Sequence, residues 1–298
     1  MSGFLIGTFG YLLNAVSIIF DKFFLGRRFT SHPVVYTFYI GVLSIFVFLL
    51  APFGLKWPGL GWFFFDLFVG FLFFMSLLTF YQALDVNEAS RVTPLFGALR
   101  PILVLFLSRI FLQEGLIQKD LVAFFFLVLG GLLMSANFDR FSKFSMKGRK
   151  YVIACIIFSA LYLVAVKYIF SRQGFITGFI WPHLGLILSS AALLFWPRWR
   201  KMLLISGRQA TTALSAVLVL GKGIASLGSL FINLAISRAN VALVSALQGT
   251  EYAFLLLTTI VISRKFPQIL EEKITRPIIF QKAAAIILIG VGLVFLAL

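Results

Sequence analysis

Long apolar runs, separated by brief polar breaks, fill this chain from end to end. Ten of them approach or exceed the roughly 20 residues that a helix needs to cross a bilayer. They lie at 4–25, 33–52, 60–84, 88–110, 119–137, 150–170, 175–196, 211–236, 239–262 and 277–297. The runs are too long for strands and lack the alternation of an outer-membrane barrel. A helix satisfies its own backbone polar groups in lipid, so the pattern predicts ten transmembrane helices. The breaks are short. The third connects to the fourth through DVN between Leu84 and Glu88, and the eighth to the ninth around Ser237 and Arg238. Such tight links make each of these pairs an antiparallel hairpin.

The second half echoes the first. FYQALDVNEASRVTPLFGALRPILVLFLSRIFLQE (Phe80 to Glu114) and FINLAISRANVALVSALQGTEYAFLLLTTIVISRK (Phe231 to Lys265) share a layout. Each has an aromatic residue, a polar amide followed by a small residue, a tight turn, a glycine in the next helix (Gly97, Gly249) and a charged end. Lys22 and Lys167 also match. The longest polar segment, Asn137 to Lys150, is the natural seam, giving five-helix repeats at 1–138 and 139–298. Five is odd, so the second repeat enters the membrane in the opposite sense, an inverted repeat.

Composition supports the lipid setting. Of 298 residues, 61% are hydrophobic and 12% charged, against about half and a quarter in soluble domains. The start, MSGFLIGTFGYLLNAVSIIF, has no basic leader and no cleavage site, so it predicts a first membrane helix and not a signal peptide. Cys155 is the single cysteine, which rules out an intrachain disulfide. The net charge of +16 sits mostly in loops, where topology and anionic lipid explain it better than nucleic acid does. No phosphate-cradling loop, H-E-x-x-H or G-x-S-x-G occurs, so neither an enzyme nor a cofactor is expected.

The run LRPILVLFLSRIFLQE, with Pro101 and then Glu114, followed by the glycine-rich VLGGLLM, resembles the drug/metabolite transporter superfamily, in its EamA-like branch. Glu251 stands at the family's acidic position in the second half. Tyr252 replaces a common proline there, and Lys265 a common glutamate. The resemblance spans essentially the whole chain. It implies a basket of ten helices in which the first, third, fourth, sixth, eighth and ninth line a central cavity, braced by the fifth and tenth. It also implies export of small metabolites or amino-acid-like compounds by alternating access.

Ionisable residues inside a bilayer cost about 2.5–3.5 kcal/mol each on insertion scales, which makes them functional candidates. Arg100, Lys222 and Glu251 lie near helix centres. Two readings stay open. Either Arg100 and Lys222 meet an anionic group on a substrate while Glu251 balances them or carries a proton, or Arg100 and Glu251 form a structural ion pair. Asn14, Gln82, Asn233 and Gln248 form a second tier that interhelical hydrogen bonding also explains. Tyr81 and Trp181 are candidate cavity walls or packing residues. Asp66 is expected at the interface, and His183 as a lone imidazole with a local hydrogen bond and no metal.

The expected function is a secondary transporter for a small polar or anionic metabolite. A flippase for lipid or lipid-linked sugar, or a non-transporting membrane subunit, are the alternatives. Expected partners are the substrate, membrane lipid, a coupling proton or ion, and a second copy of the chain in a homodimer; nucleic acid is not one. Orientation divides two arguments. Lys and Arg concentrate in the odd-numbered loops, while the even ones hold Lys56, Arg109, Lys119, Lys167, Arg172 and Arg238. The positive-inside rule then places both termini outside the cell membrane, whereas the resemblance implies both inside.

Overall fold

The computed structural model describes residues 2–25, 32–87, 89–135, 146–208, 212–263 and 276–297, and all regular structure among them is helical. The helices are α1 (Ser2–Leu25), α2 (Pro33–Leu43), α3 (Leu60–Val86), α4 (Ala89–Phe111), α5 (Gln118–Ser135), α6 (Met146–Gln173), α7 (Phe175–Ala192), α8 (Pro197–Arg208), α9 (Thr212–Arg238), α10 (Val241–Ala246), α11 (Gln248–Ser263) and α12 (Arg276–Ala297). Among the described residues, 9 helical stretches are long and apolar enough to span a membrane, and Gly3–Ile18 of α1 is a shorter apolar helix. The chain is a helical, multi-pass membrane protein.

Local chemistry sets the boundaries. Pro33 opens α2, where its missing N–H costs nothing, and the His32 ring accepts from Val34 N at 3.3 Å. Asn240 caps α10, its Oδ1 accepting from Ala242 N at 2.9 Å and Leu243 N at 3.4 Å. Gly59 (φ 89°) and Gly174 (φ 77°) supply the left-handed backbone that starts α3 and α7.

Three elements depart from the sequence expectation. The second span continues past α2 as a tightened 3-10 segment, Ser44–Phe53, with Pro52 inside it. The connection after the seventh span holds an extra helix, α8. Its basic face and its apolar residues Trp199, Leu203 and Ile205 suit the membrane surface; Leu203 is buried, and Trp199 lies 5.8 Å from His32. The expected ninth helix runs on through α10 and α11 with one tightened turn at Leu247, whose backbone stays right-handed helical (φ −59°, ψ −12°). Thr250 folds back on the Leu247 carbonyl through both its N (2.9 Å) and its Oγ1 (2.6 Å), which tightens the turn.

The chain divides into two compact units. Unit 1 takes residues 1–23, 89–143 and 223–298; unit 2 takes 24–88 and 144–222. Each therefore draws helices from both halves of the sequence. In unit 1, α5 packs on α12, α4, α10 and α11. Glycines allow the closest crossings: a Cβ on Gly131 would come within 2.9 Å of the Gly249 Cα, and one on Gly10 within 2.8 Å of the Gly228 carbonyl oxygen. In unit 2, α3 packs on α6, α7 and α2. Gly70 meets the Pro182 carbonyl and Gly185 meets the Leu67 backbone, so α3 and α7 touch backbone to backbone. Phe73 stacks on Tyr162 at 4.4 Å, joining α3 to α6.

Candidate functional site

Unit 1 gathers polar side chains from α1, α4 and α11. Arg100 lies just before Pro101 in α4, half-buried, its guanidinium 4.9 Å from the centre of the Phe96 ring one turn back. It makes a side-chain hydrogen bond with Tyr11 of α1. The Tyr11 hydroxyl donates to the Val244 carbonyl at 3.1 Å. Val244 is in α10, one residue short of a turn before the tightened step at Leu247. Tyr11 thus ties α1, α4 and α10 together.

Glu251 stands in the first turn of α11 and is buried. Asn14, one turn along α1 from Tyr11, makes a side-chain hydrogen bond with it. Arg100 and Glu251 interact electrostatically, but no Arg100–Glu251 contact of salt-bridge length occurs among the described residues. Gln248 is buried at the head of α11, and Tyr252 follows Glu251, its hydroxyl 3.5 Å from the Thr93 carbonyl. Gly97 gives Tyr252 room: a Cβ there would approach its hydroxyl to 2.9 Å. Two buried atoms of this cluster, Arg100 Nε and Gln248 Oε1, have no hydrogen-bond partner.

The other expected residues lie elsewhere. Asn233 is buried in α9 and donates to the Ser229 carbonyl of its own helix at 2.9 Å. Lys222, at the end of the unit 2 part of α9, holds its ammonium 4.5 Å from the Tyr36 ring centre. Tyr36 meets Tyr81 edge-on at 4.4 Å. Gln82 is half-buried next to Tyr81 on α3. Trp181 is a packing residue, donating to the Lys56 carbonyl at 3.0 Å and touching Trp57 and Phe63. His183 makes the expected local hydrogen bond, 2.7 Å to the Phe179 carbonyl. No group of metal-ligating side chains occurs among the described residues. Lys265 and the Lys22 side chain lie outside the described residues.

Asp66, expected near the membrane interface, is fully buried within the protein and accepts from Gln173 Nε2 at 3.0 Å. The close packing of α3 on α6 and α7 encloses it. Tyr11, Tyr36 and Tyr252 were missed as site residues. Tyr11 carried one usable signal, its three-residue spacing from Asn14, which puts both on one face of α1.

The Lys222–Tyr36 contact predicts a modest cost. Lys222→Met should lower stability in detergent by about 0.5–2 kcal/mol, the range for a cation over an aromatic face. In a thermal-unfolding cycle with Tyr36→Leu, the two effects should be less than additive.

No family model matches the chain, and no curated protein matches it. A solved structure described only as "Crystal structure of protein" is similar to it: 18% identity, 98% of this chain and 96% of that one covered, TM-score 0.68. At that identity the likeness is one of fold.

Proposed function

We propose that the chain is a secondary transporter of the drug/metabolite, EamA-like type, moving a small polar or anionic metabolite such as an amino-acid-like compound. The observation that supports this most is the Arg100–Tyr11–Asn14–Glu251 cluster, in which Tyr11 and Glu251 are buried and Arg100 and Asn14 half-buried. Well-packed apolar residues of similar volume are often as stabilising as buried charges, or more so. Packing alone therefore gives little reason to keep these groups at mid-span. A guanidinium, a hydroxyl, two amides and a carboxyl group suit a ligand with both acidic and basic ends. Lys222, with Tyr36 and Tyr81, is a second candidate contact for an anionic group.

The test is counterflow in proteoliposomes containing the purified chain and a panel of radiolabelled amino acids and organic acids. Wild type should exchange at least one compound. Arg100→Ala and Glu251→Gln should each reduce that exchange at least about tenfold, a loss of roughly 1.4 kcal/mol. Unchanged exchange in both variants would remove the proposed site.

A further inference from the structure

Unit 2 holds a second buried carboxyl group, which the cluster around Arg100 does not use. Asp66 sits six residues into α3, about 9 Å along the helix at 1.5 Å per residue, and none of its surface is exposed. Gln173, the last residue of α6, donates to Asp66 Oδ1. The facing oxygens, Asp66 Oδ2 and Gln173 Oε1, are both buried and both lack a hydrogen-bond partner. Two acceptors from one hydrogen-bonded pair are thus left without a donor. Buried polar atoms are nearly always satisfied, and an unmade bond here costs about 1–3 kcal/mol, more for a charged group.

The neighbouring charges do not fill the gap. Gln173 is the polar side chain that bonds Asp66 among the described residues, and no basic side chain pairs with it. On α6, the Arg172 guanidinium lies 5.5 Å from the Tyr168 ring, and Tyr162 is stacked on Phe73. Lys167 is half-buried on the same helix. On α7, His183 is turned to the Phe179 carbonyl. From α2, Tyr36 faces Tyr81, and Tyr39 packs on Phe38. Lys56, before α3, has an exposed side chain. A hard metal cation takes six or more oxygens, and these two do not make such a cage.

A proton fits where a metal ion does not. We propose that Asp66, with Gln173, is a proton-binding site: a hydronium ion gives a proton to Oδ2, its own O–H bond breaks to leave water, and the new O–H bond turns the carboxylate into a neutral acid. An open pocket of about 280 Å³, lined by Gly61, Trp62, Phe65 and Tyr168, adjoins the pair in sequence. Trp62 is one turn from Asp66 along α3. The role we assign to this proton, as the coupling ion, rests on the transport reading above.

Infrared difference spectra of the full reconstituted chain test the site directly. Lowering the pH should raise a carboxylic-acid C=O band that shifts in D2O. The band should vanish in Asp66→Asn, remain in Glu251→Gln, and change frequency in Gln173→Met, which removes the hydrogen bond but keeps the acid. No pH-dependent acid band in wild type, or one that survives unchanged in Asp66→Asn and Gln173→Met, would overturn the proposal. For coupling, an inward proton gradient should change wild-type flux at least threefold and leave Asp66→Asn flux unchanged, with counterflow intact in both. If counterflow occurs but ignores the gradient in wild type, the coupling role fails and the transport reading stands. If no compound is exchanged, the transport reading fails and the infrared band still decides the proton site.

Discussion

Arg100→Ala is expected to lower the stability of the protein in detergent by about 1.5–3 kcal/mol, the range for hydrogen bonds that involve a charged group. Glu251 is 8% exposed, and Arg100 is the cation that acts on it. Without the guanidinium, the carboxyl group keeps Asn14 but loses its counter-charge. Tyr11 loses a partner as well, so its hold on the Val244 carbonyl is no longer anchored to α4. Removing both charges should be milder than the sum of the single changes. A thermal-unfolding cycle of Arg100→Ala, Glu251→Ala and the double variant should give a coupling of about 0.5–3 kcal/mol, the range for residues in one network. Strict additivity would mean that the two groups do not sense each other. Tyr11→Phe should cost less, about 1 kcal/mol, because it removes a hydroxyl and no charge.

The same residues show what the sequence could and could not reveal. Spans were legible because a bilayer demands long apolar runs, and the helices begin and end within a few residues of the expected positions. The mid-span charges stood out because they are rare. Their neighbours did not. Tyr11 is one of 8 tyrosines among 37 phenylalanines, and in a helix that is apolar all round, periodicity does not say which face turns inward. Asp66 is an example: its place near the start of a span was legible, and its burial inside the protein was not. The helix α8 was missed because 12 residues of mixed basic and apolar character read as a loop. The tightened turn at Leu247 has no proline to announce it. It rests on a Thr250 side-chain bond that depends on the local fold.

Gly131→Val should be strongly damaging in unit 1 although it touches no charge. A Cβ at this position would stand 2.9 Å from the Gly249 Cα, and one at Gly249 would stand 3.0 Å from the Leu127 carbonyl oxygen and 3.1 Å from the Gly131 Cα. The obstacles are backbone atoms on both helices, so no side chain can swing away to make room. Overpacking a close-packed interior costs about 1–3 kcal/mol where side chains can adjust; here α5 and α11 must separate. Separation would carry Glu251, two residues beyond Gly249, away from Arg100. Gly131→Val should therefore lower both the unfolding temperature and the yield of monodisperse protein on size-exclusion chromatography. Gly61→Ala, with nothing within 4 Å of the added carbon, should change neither. Equal behaviour of the two variants would show that α5 and α11 do not cross at these glycines.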